Sequence, residues 1–532
     1  MPCNKKSLFA SLVLFLSFFA LACVAAENTE NAKDDSPEKK EEKKAPEKTE
    51  NTLTSLINGK SMEYVVKTDL ISLQSDDDEE NALVFSTSYQ VKDGSPGRPV
   101  LFLYNGGPGA SSIYLHIGAF GPKGFLTRDS GTTPPKPPYA VEDNQDSLLD
   151  VTDLVFIDPV GTGYSRAADG KKESGDGKEK DKGAAKESNK DFWDVDKDID
   201  SIAEFIRVWL TENNRWGSPV FLGGESYGGL RTAGLAGELE DAGVAPSGVI
   251  LISPVISYMD VWELNTRENR NAPILLFPSL AMTAHYHGRL DAGLQAMDRE
   301  AFGEMVKEWC ESDYLPALRR GNRLGAVERK QLAEKISEFC GLPTAVILAE
   351  NLIVSQSVFC SYLLRDQHRF LSGYDGRATA YGSKYDYGED PTNSVAGESY
   401  RTTFMRLLTE TLGLKASRRY RFMSPDAFIA WDFTQGGRGL GGFPSTVRHL
   451  GTAMRRFPNL KVFAALGRYD LVTPPYSVLH SLARLDIPSE RVGDIVHRMY
   501  EGGHMMYTNV EAKKQLADDL RRWIKETITK RD

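Results

Sequence analysis

A short glycine-flanked motif gives the strongest chemical signal in the sequence. Residues 224–228 spell Gly-Glu-Ser-Tyr-Gly and directly follow the apolar run at 220–222. This pattern is typical of a sharp strand-to-helix turn that exposes a serine hydroxyl, and glycines are needed because the turn brings backbone segments too close for a Cβ. Ser226 is therefore the predicted nucleophile. The alternative is a glycine-rich turn with a purely structural role.

A serine nucleophile needs a base, and the base needs an acid that orients it. After such a turn, the acid is expected beyond a later strand and the histidine shortly before the last helix. Asp470 follows an apolar run at 461–466, and His504 lies in a Glu-Gly-Gly-His-Met segment before the final helical stretch. Asp470 and His504 are the predicted partners of Ser226. Weaker candidates are Asp432 and Asp494 for the acid, and His116, His285, His287, His368, His449, His480 and His497 for the base.

A second glycine-rich segment precedes the nucleophile. Residues 105–109, Asn-Gly-Gly-Pro-Gly, follow the apolar run at 100–104. Acyl transfer requires backbone N–H groups aimed at the oxygen where negative charge develops. The N–H groups of Gly107 and Tyr227 are the predicted donors of this oxyanion hole. A phosphate-binding loop is the rival interpretation, but the segment lacks the Gly-Lys-Ser/Thr ending of such loops.

The elements that would carry these residues alternate along the chain. Short apolar runs alternate with amphipathic stretches, which predicts an α/β fold with a mostly parallel central sheet and helices on both faces. Residues 260–421 break this rhythm with helical periodicity, so we expect a helical cap inserted between two parts of the core, 56–259 and 422–532. The expected strands lie at 100–104, 154–157, 220–222, 249–252 and 462–465, and the expected helices include 198–210, 305–309, 331–339 and 510–528.

The N-terminus has the pattern of an export signal. Two lysines precede an apolar run at 8–24, which is short for a membrane span and predicts a signal peptide over residues 1–26. A lipoprotein signal ending before Cys23 fits the same residues and would leave that cysteine acylated. Residues 27–55 are charged and almost free of apolar side chains, which predicts a disordered linker. A similar tract at 167–190 is expected to be a low-complexity surface loop.

Composition excludes several classes of function. The net charge is −10, which disfavours nucleic acid as a partner because phosphate binding requires a basic surface. No His/Cys cluster has the spacing of metal ligands, and no organic cofactor is required. Cys310, Cys340 and Cys360 are too few for a disulfide framework, although one bridge among them is compatible with export. The sequence does not indicate an oligomeric state.

Five segments, in their order along the chain, resemble the serine carboxypeptidase family, and the chain looks like a bacterial-type member. The resemblance implies the α/β-hydrolase fold of that family. The resemblance covers most of 99–506 except the insert. It implies that Asn105, Gly106 and Glu225 bind the substrate's C-terminal carboxylate. The sequence departs from the family at Ala119, where a second acid is usual, and at Ala110, where a cysteine is usual. The five segments are 105–112, 159–165, 224–229, the surroundings of Asp470, and 503–505.

The resemblance implies a serine-type carboxypeptidase that acts on peptides with a free C-terminus. Such a protein would be exported, to the periplasm or outside the cell, or tethered there by a lipid on Cys23. Because Ala119 replaces the second acid, an esterase or acyltransferase with the same triad is the alternative. A surface binding protein on an inactive hydrolase scaffold is a third hypothesis, which the presence of Ser226, Asp470 and His504 disfavours.

Overall fold

A computed structural model describes most of the chain downstream of the N-terminal segment. The predicted signal peptide (1–26, with Cys23), residues 27–44 of the predicted linker and residues 169–188 of the predicted loop lie outside the described residues. Within the described part of the chain, no helix has the length and apolar character needed to cross a bilayer. The described residues are 45–74, 80–168, 189–261, 269–384, 388–435 and 443–529.

One large mixed sheet forms the centre of the protein. The strands are β1 Thr49–Ile57, β2 Lys60–Gln74, β3 Glu80–Val91, β4 Val100–Tyr104, β5 Lys123–Gly124, β6 Glu142–Asp143, β7 Asp153–Ile157, β8 Arg166–Ala167, β9 Val220–Glu225, β10 Pro246–Ile252, β11 Arg369–Leu371, β12 Thr379–Tyr381, β13 Lys461–Gly467 and β14 Ile495–Tyr500. The central sheet has the order β1-β2-β3-β7-β4-β9-β10-β13-β14, and β8 pairs with β3. All neighbours from β7 to β14 are parallel. The predicted mostly parallel sheet is confirmed.

The first strand corrects the predicted boundary of the linker. The prediction of disorder over 27–55 is wrong from Thr49 onward, because β1 begins there and pairs with β2 along its whole length. Its residues alternate between buried or half-buried and exposed positions, as in an edge strand with one covered face. Pairing with β2 satisfies the backbone, so this strand needs few apolar side chains. The antiparallel strands β1 to β3 were not predicted from the sequence.

Helices cover both faces of the sheet. Along β4, Val100 and Phe102 point into one core and Leu101 and Leu103 into the other. The first core includes α1, α2, α13 and α14, and the second includes α15 and α11. The helices are α1 Val195–Glu212, α2 Tyr227–Glu238, α3 Tyr258–Val261, α4 Asn271–Tyr286, α5 Ala292–Gln295, α6 Arg299–Trp309, α7 Leu315–Arg320, α8 Ala326–Cys340, α9 Thr344–Ala349, α10 Gln356–Tyr362, α11 Thr392–Arg406, α12 Pro425–Ala430, α13 Val447–Arg456, α14 Pro475–Ala483 and α15 Val510–Ile528.

The predicted insert, residues 260–421, contains helices α4 to α11 and one short hairpin, β11–β12. It has a hydrophobic core of its own, which also contains Tyr469 and Leu471 from the loop after β13. Cys310, Cys340 and Cys360 are buried in this core as free thiols. The ends of the low-complexity tract lie together, since the N–H of Ala167 in β8 donates to Asn189 Oδ1 at 2.8 Å.

A buried ion pair links α1 and α2 to the loop after β4. Arg231 is fully buried and donates from Nε and Nη2 to the two oxygens of Asp198, at 2.8 and 3.0 Å. Its Nη1 donates to the carbonyl oxygen of Asn105 at 2.8 Å. Removing one partner of such a pair strands the other charge in a low-dielectric interior, which costs about 3 to 5 kcal/mol.

We therefore expect Asp198→Ala to lower the free energy of unfolding by about 3 to 5 kcal/mol, measured by urea denaturation. Glu410→Ala is the matched control, because Glu410 pairs with Arg406 at 2.9 Å on an exposed helix surface. That change should cost less than about 1 kcal/mol. Equal losses in the two variants would contradict this account of the Arg231 pair.

Candidate active site

Ser226 lies in the turn that joins β9 to α2. Its φ of 61° is in a region that residues other than glycine rarely adopt, so the surrounding structure must hold it there. Its N–H donates to Ile252 O at 3.1 Å, and its carbonyl oxygen accepts from the N–H groups of Gly229 and Val255 at 2.8 and 2.9 Å. The hydroxyl does not cap α2, and the side chain lines a cavity. The turn thus places Ser226 at the cavity, and its role as nucleophile stays a prediction.

Two glycines are required by close packing at this turn. A Cβ on Gly224 would lie 2.1 Å from the carbonyl oxygen of Gly228. A Cβ on Gly106 would lie 2.5 Å from the nitrogen of Tyr227 and 2.6 Å from the carbonyl oxygen of Glu225. The loop after β4 therefore lies directly against the nucleophile turn, which is the arrangement that the predicted oxyanion hole requires. Gly107, the next residue in that loop, lines the same cavity as Ser226.

Asp470 and His504 are brought together beyond the ends of β13 and β14. His504 Nδ1 lies 2.8 Å from Asp470 Oδ2, and both side chains are buried. Asp470 Oδ1 accepts from the N–H groups of Val472 and Thr473 at 2.9 and 2.8 Å, and Thr473 Oγ1 lies 2.6 Å from Oδ2. A carboxylate fixed in this way favours the imidazole tautomer with a proton on Nδ1, which leaves Nε2 free to accept one.

The surroundings of His504 favour its charged form. Burial lowers the pKa of an imidazole, but the charge of Asp470, its hydrogen bond and the charge of Glu225 outweigh this effect, so the pKa of His504 is raised above its ordinary value. An imidazolium formed when the histidine takes a proton from serine would be stabilised by the same groups.

The Asp470–His504 pair lies at the same edge of the sheet as Ser226. The strands β9, β10, β13 and β14 are consecutive in the sheet, so the residues after their carboxyl ends lie at one edge. Tyr374 packs edge-on against the His504 ring with centroids 5.3 Å apart, and both Tyr374 and Thr473 line the cavity that contains Ser226. Ser226 and two residues that contact His504 therefore line one cavity, and the catalytic roles of Ser226, Asp470 and His504 remain predictions.

The cavity has a volume of about 280 Å³ and is mainly apolar. The core contributes the Gly-Pro segment after β4 and residues near Ser226, while the insert contributes the opposite wall. Charged side chains on this lining are Asp260, Lys384, Glu389 and Asp390. Apolar lining residues include Val255, Leu276, Val354, Phe370, Phe428 and Phe433. Within the described part of the chain, no group of His, Cys, Asp and Glu side chains is arranged to hold a metal ion.

Glu225 lies beside Ser226 in a buried hydrogen-bonded site. Its Oε2 accepts from Asn105 Nδ2 at 3.0 Å and from the Tyr507 hydroxyl at 2.6 Å. Burial raises the pKa of Glu225 to about 7, even though the charge of His504 and the hydrogen bonds from Tyr507 and Asn105 act in the opposite direction. Glu225 is therefore partly protonated near neutral pH, which is required if it is to face another carboxylate.

Ala119 is buried in a π-helical turn, Tyr114–Phe120, and its carbonyl oxygen accepts from Asn144 Nδ2 at 2.8 Å. A basic residue such as Arg231 could compensate for the missing second acid, but Arg231 pairs with Asp198 instead. Tyr507 was missed because nothing in its local sequence marks it; only its place three residues after His504 could have suggested proximity. Thr473 and Tyr374, which contact His504, were missed for the same reason.

The weaker candidates lie elsewhere or have other partners. His116 is buried, and its Nε2 lies 2.7 Å from the Tyr89 hydroxyl. Asp494 pairs with Arg491 at 2.5 Å, and Asp432 Oδ1 accepts from the Thr434 N–H at 2.8 Å. The remaining candidates are His285 in α4, His287 at its end, His368 before β11, His449 in α13, His480 in α14 and His497 in β14.

Two comparisons of sequence identify similar proteins. The model of the family described as serine carboxypeptidase matches residues 66–248. Serine carboxypeptidase-like 19 of Arabidopsis thaliana is 28% identical over 167 residues, which cover 30% of this chain and 31% of that protein. The match thus spans less than a third of the curated relative. The family match, over residues 66–248, includes Ser226 and the loop after β4 but ends before Asp470 and His504.

Comparison with solved structures extends the similarity of the fold. The crystal structure of Kex1, a prohormone-processing carboxypeptidase from Saccharomyces cerevisiae, superposes with a TM-score of 0.52 at 13% identity. The alignment covers 88% of this chain and 92% of that one. The fold is therefore that of the α/β-hydrolases, with the predicted helices on both faces of the sheet.

We expect a fluorophosphonate probe to label the protein at Ser226, detected by mass spectrometry of the intact protein and its peptides. Ser226→Ala should abolish the labelling. Asp470→Asn should slow it on the order of 10⁴-fold, because the imidazole would adopt the wrong tautomer. Ser253→Ala is a matched control: Ser253 also has a positive φ, 39°, and follows the adjacent strand β10. Labelling that persists in Ser226→Ala would refute the assignment.

Proposed function

We propose that the chain is a member of the serine carboxypeptidase family, whose model matches residues 66–248, and that it releases C-terminal amino acids from peptides through a covalent acyl-enzyme. One observation carries the proposal. The residue before the predicted nucleophile is a buried glutamate whose carboxyl group has a pKa of about 7 and is held by Asn105 and Tyr507. A protonated carboxyl group beside the scissile bond can bind the free carboxylate of a peptide, which most serine hydrolases have no reason to recognise.

The reaction uses the groups gathered at the cavity. His504 Nε2 takes the proton of Ser226 as its Oγ attacks the last peptide carbonyl, and the N–H groups of Gly107 and Tyr227 donate to the oxyanion. His504 then gives its proton to the leaving amine, and the C-terminal amino acid departs. Water, activated by the same imidazole, attacks the acyl-enzyme and restores the serine. Asp470 keeps the imidazole oriented throughout.

The carboxylate of the substrate would bind to the side chain of Asn105, the N–H of Gly106 and Glu225. Asn105 Oδ1 accepts from the N–H of Leu115 at 3.1 Å, which fixes the amide so that Nδ2 points to Glu225. Because Glu225 Oε2 already accepts two hydrogen bonds, its proton belongs on Oε1, from which it can donate to the substrate. At high pH Glu225 is charged and should repel the same carboxylate.

The natural substrates would be peptides exported with, or encountered outside, the cell. The predicted signal segment at 1–26 supports export to the periplasm or the extracellular space, and Cys23 offers a lipid anchor as the alternative ending of that signal. The mainly apolar cavity between core and insert supports a preference for an apolar side chain next to the scissile bond.

An esterase or acyltransferase with the same triad is the second candidate. Two observations favour it: Ala119 stands where the family usually has a second acid, and the cavity lining would suit an apolar acyl group equally well. The two candidates differ in whether the free carboxylate of the substrate contributes to binding.

Turnover of a blocked dipeptide should therefore depend on its C-terminal group. We expect kcat/KM for the free acid to exceed that for the amide by about 10- to 100-fold, the value of a hydrogen bond to a charged group. Glu225→Ala should remove this preference without removing labelling of Ser226 by a fluorophosphonate. Rates are measured by mass spectrometry at pH 4.5 and 7.5. A clear preference for the ester over the acid, unchanged in Glu225→Ala, would favour the second candidate.

Tyr507→Phe should shift the pH dependence of the free-acid preference upward. The Tyr507 hydroxyl stabilises the charged form of Glu225, so its loss raises the pKa of Glu225 above about 7, and the protonated form persists to higher pH. The ratio of kcat/KM for acid and amide substrates, measured from pH 5 to 9, isolates this effect from the titration of His504.

Glu225→Gln is the control for that experiment. An amide can donate to the substrate at every pH, so the preference for the free acid should remain but lose its alkaline decline. A Tyr507→Phe profile that coincides with the wild-type profile would contradict the role given to the phenol.

A further inference from the structure

The hairpin of the insert holds both sides of the predicted acid. The loop between β11 and β12, residues 372–378, lies against the segment that follows β13. The N–H of Gly376 donates to Tyr469 O at 2.9 Å, and the N–H of Leu471 donates to Gly373 O at 3.1 Å. These bonds involve the residues immediately before and after Asp470. The side chains of Tyr469 and Leu471 are buried in the core of the insert.

The same loop holds the predicted base. The N–H of His504 donates to Tyr374 O at 2.6 Å, and the N–H of Gly503 donates to Asp375 Oδ2 at 3.2 Å. Gly503 is required here, because a Cβ would lie 2.2 Å from Tyr374 O and 2.5 Å from the Cα of Asp375. One loop of the insert therefore contacts the backbone on both sides of the Asp470–His504 hydrogen bond.

The loop is itself fixed by buried charges. Asp375 accepts from Arg377 Nε at 3.0 Å and from Nη2 at 2.6 Å, and both side chains are almost completely buried. Arg377 also donates to Ser130 O at 3.2 Å and lies over the Tyr469 ring, 5.5 Å from its centroid. At the other end of the loop, the N–H of Gly373 donates to Asp390 Oδ2 at 2.8 Å.

The sheet alone does not hold the two residues. Strand β13 ends at Gly467 and β14 at Tyr500, so Asp470 and His504 lie three and four residues beyond regular pairing. Loops of this length need further support to hold the base at the correct position relative to the nucleophile, within a few tenths of an ångström. Two backbone bonds join the loops directly, from the Arg468 N–H to Tyr500 O at 3.1 Å and from the Tyr469 N–H to Gly502 O at 2.9 Å. Loop 372–378 of the insert adds the bonds to Leu471, Gly503 and His504.

We propose that loop 372–378 is a positioning element of the active site, and that Asp375, through Gly503 and Arg377, is its positioning residue. The insert then has two roles: it walls the cavity, and it sets the geometry between Asp470 and His504. This inference rests on the proposed triad but not on the class of substrate.

The competing explanation is that the loop only stabilises the fold. The pH dependence of serine reactivity separates the two. His504 is faced by Asp470 from the loop after β13, Glu225 from β9, Tyr374 and Asp390 from the insert, and lies near Tyr507. Asp470 and Glu225 raise the pKa of His504, so a looser contact with Asp470 lowers it.

The test measures the second-order rate of Ser226 labelling by a fluorophosphonate from pH 5 to 9, a reaction that needs no substrate carboxylate. Asp375→Ala should slow labelling of the folded protein by up to about 100-fold and move the acid limb of the profile to lower pH. Asp375→Asn keeps an oxygen that can accept from the Gly503 N–H but loses the charge opposite Arg377. The Asp375→Asn change should slow labelling by only about 3- to 10-fold. This variant still tests the proposal if Asp375→Ala fails to fold.

Asp366→Ala is the matched control. Asp366 lies just before the same hairpin and pairs with Arg289 at 2.7 Å on the surface, away from both triad loops. Its labelling rate and pH profile should equal those of the wild type. If the Asp375 variants lose thermal stability but their folded fraction reacts like the wild type, the positioning role is overturned. If the wild-type protein is not labelled at Ser226, the proposed function fails instead.

Discussion

The buried hydrogen bond between His504 Nδ1 and Asp470 Oδ2 is the interaction on which the rest of the site depends. A carboxylate with no exposed surface is tolerated only when its oxygens are satisfied, and here two N–H groups, a hydroxyl and the imidazole provide partners. Parallel neighbours β13 and β14 bring the two loops to the same edge of the sheet. The strained turn at Ser226 follows β9 at that edge, so a single topological arrangement supplies all three groups.

Glu225 and His504 are electrostatically coupled. The charge of His504 lowers the pKa of Glu225, and the charge of Glu225 raises the pKa of His504. A proton on one therefore favours the loss of a proton from the other, and the pair titrates with macroscopic values that belong to both. This coupling has a chemical consequence. In the proposed carboxypeptidase reaction, the state with neutral imidazole and protonated Glu225 has the same total charge as the ion pair. A substrate carboxylate bound there would favour the neutral form of Glu225.

The parts of this site that follow from short-range chemistry could be predicted from the sequence. The glycines around Ser226 and the apolar runs that form β4, β9 and β13 reflect local constraints. The order of Ser226, Asp470 and His504 was predictable for another reason, the connectivity expected of the fold. The edge strand β1 could not be predicted, because pairing with β2 rather than apolar content stabilises it. Tyr507 and Asp375 could not be predicted either, since their partners lie 282 and 128 residues away in the chain.

The insert can contact the loops of Asp470 and His504 even though its sequence has little similarity to the family. Three of the four hydrogen bonds from loop 372–378 to the triad loops are made by backbone atoms of Gly373, Tyr374 and Gly376, which any sequence able to form the same hairpin would provide. Within this loop, only Asp375 makes such a bond through its side chain. A segment can therefore hold the catalytic geometry while its sequence resembles the family faintly. The Kex1 alignment, which covers 88% of the chain at 13% identity, is consistent with a fold conserved in backbone rather than in residues.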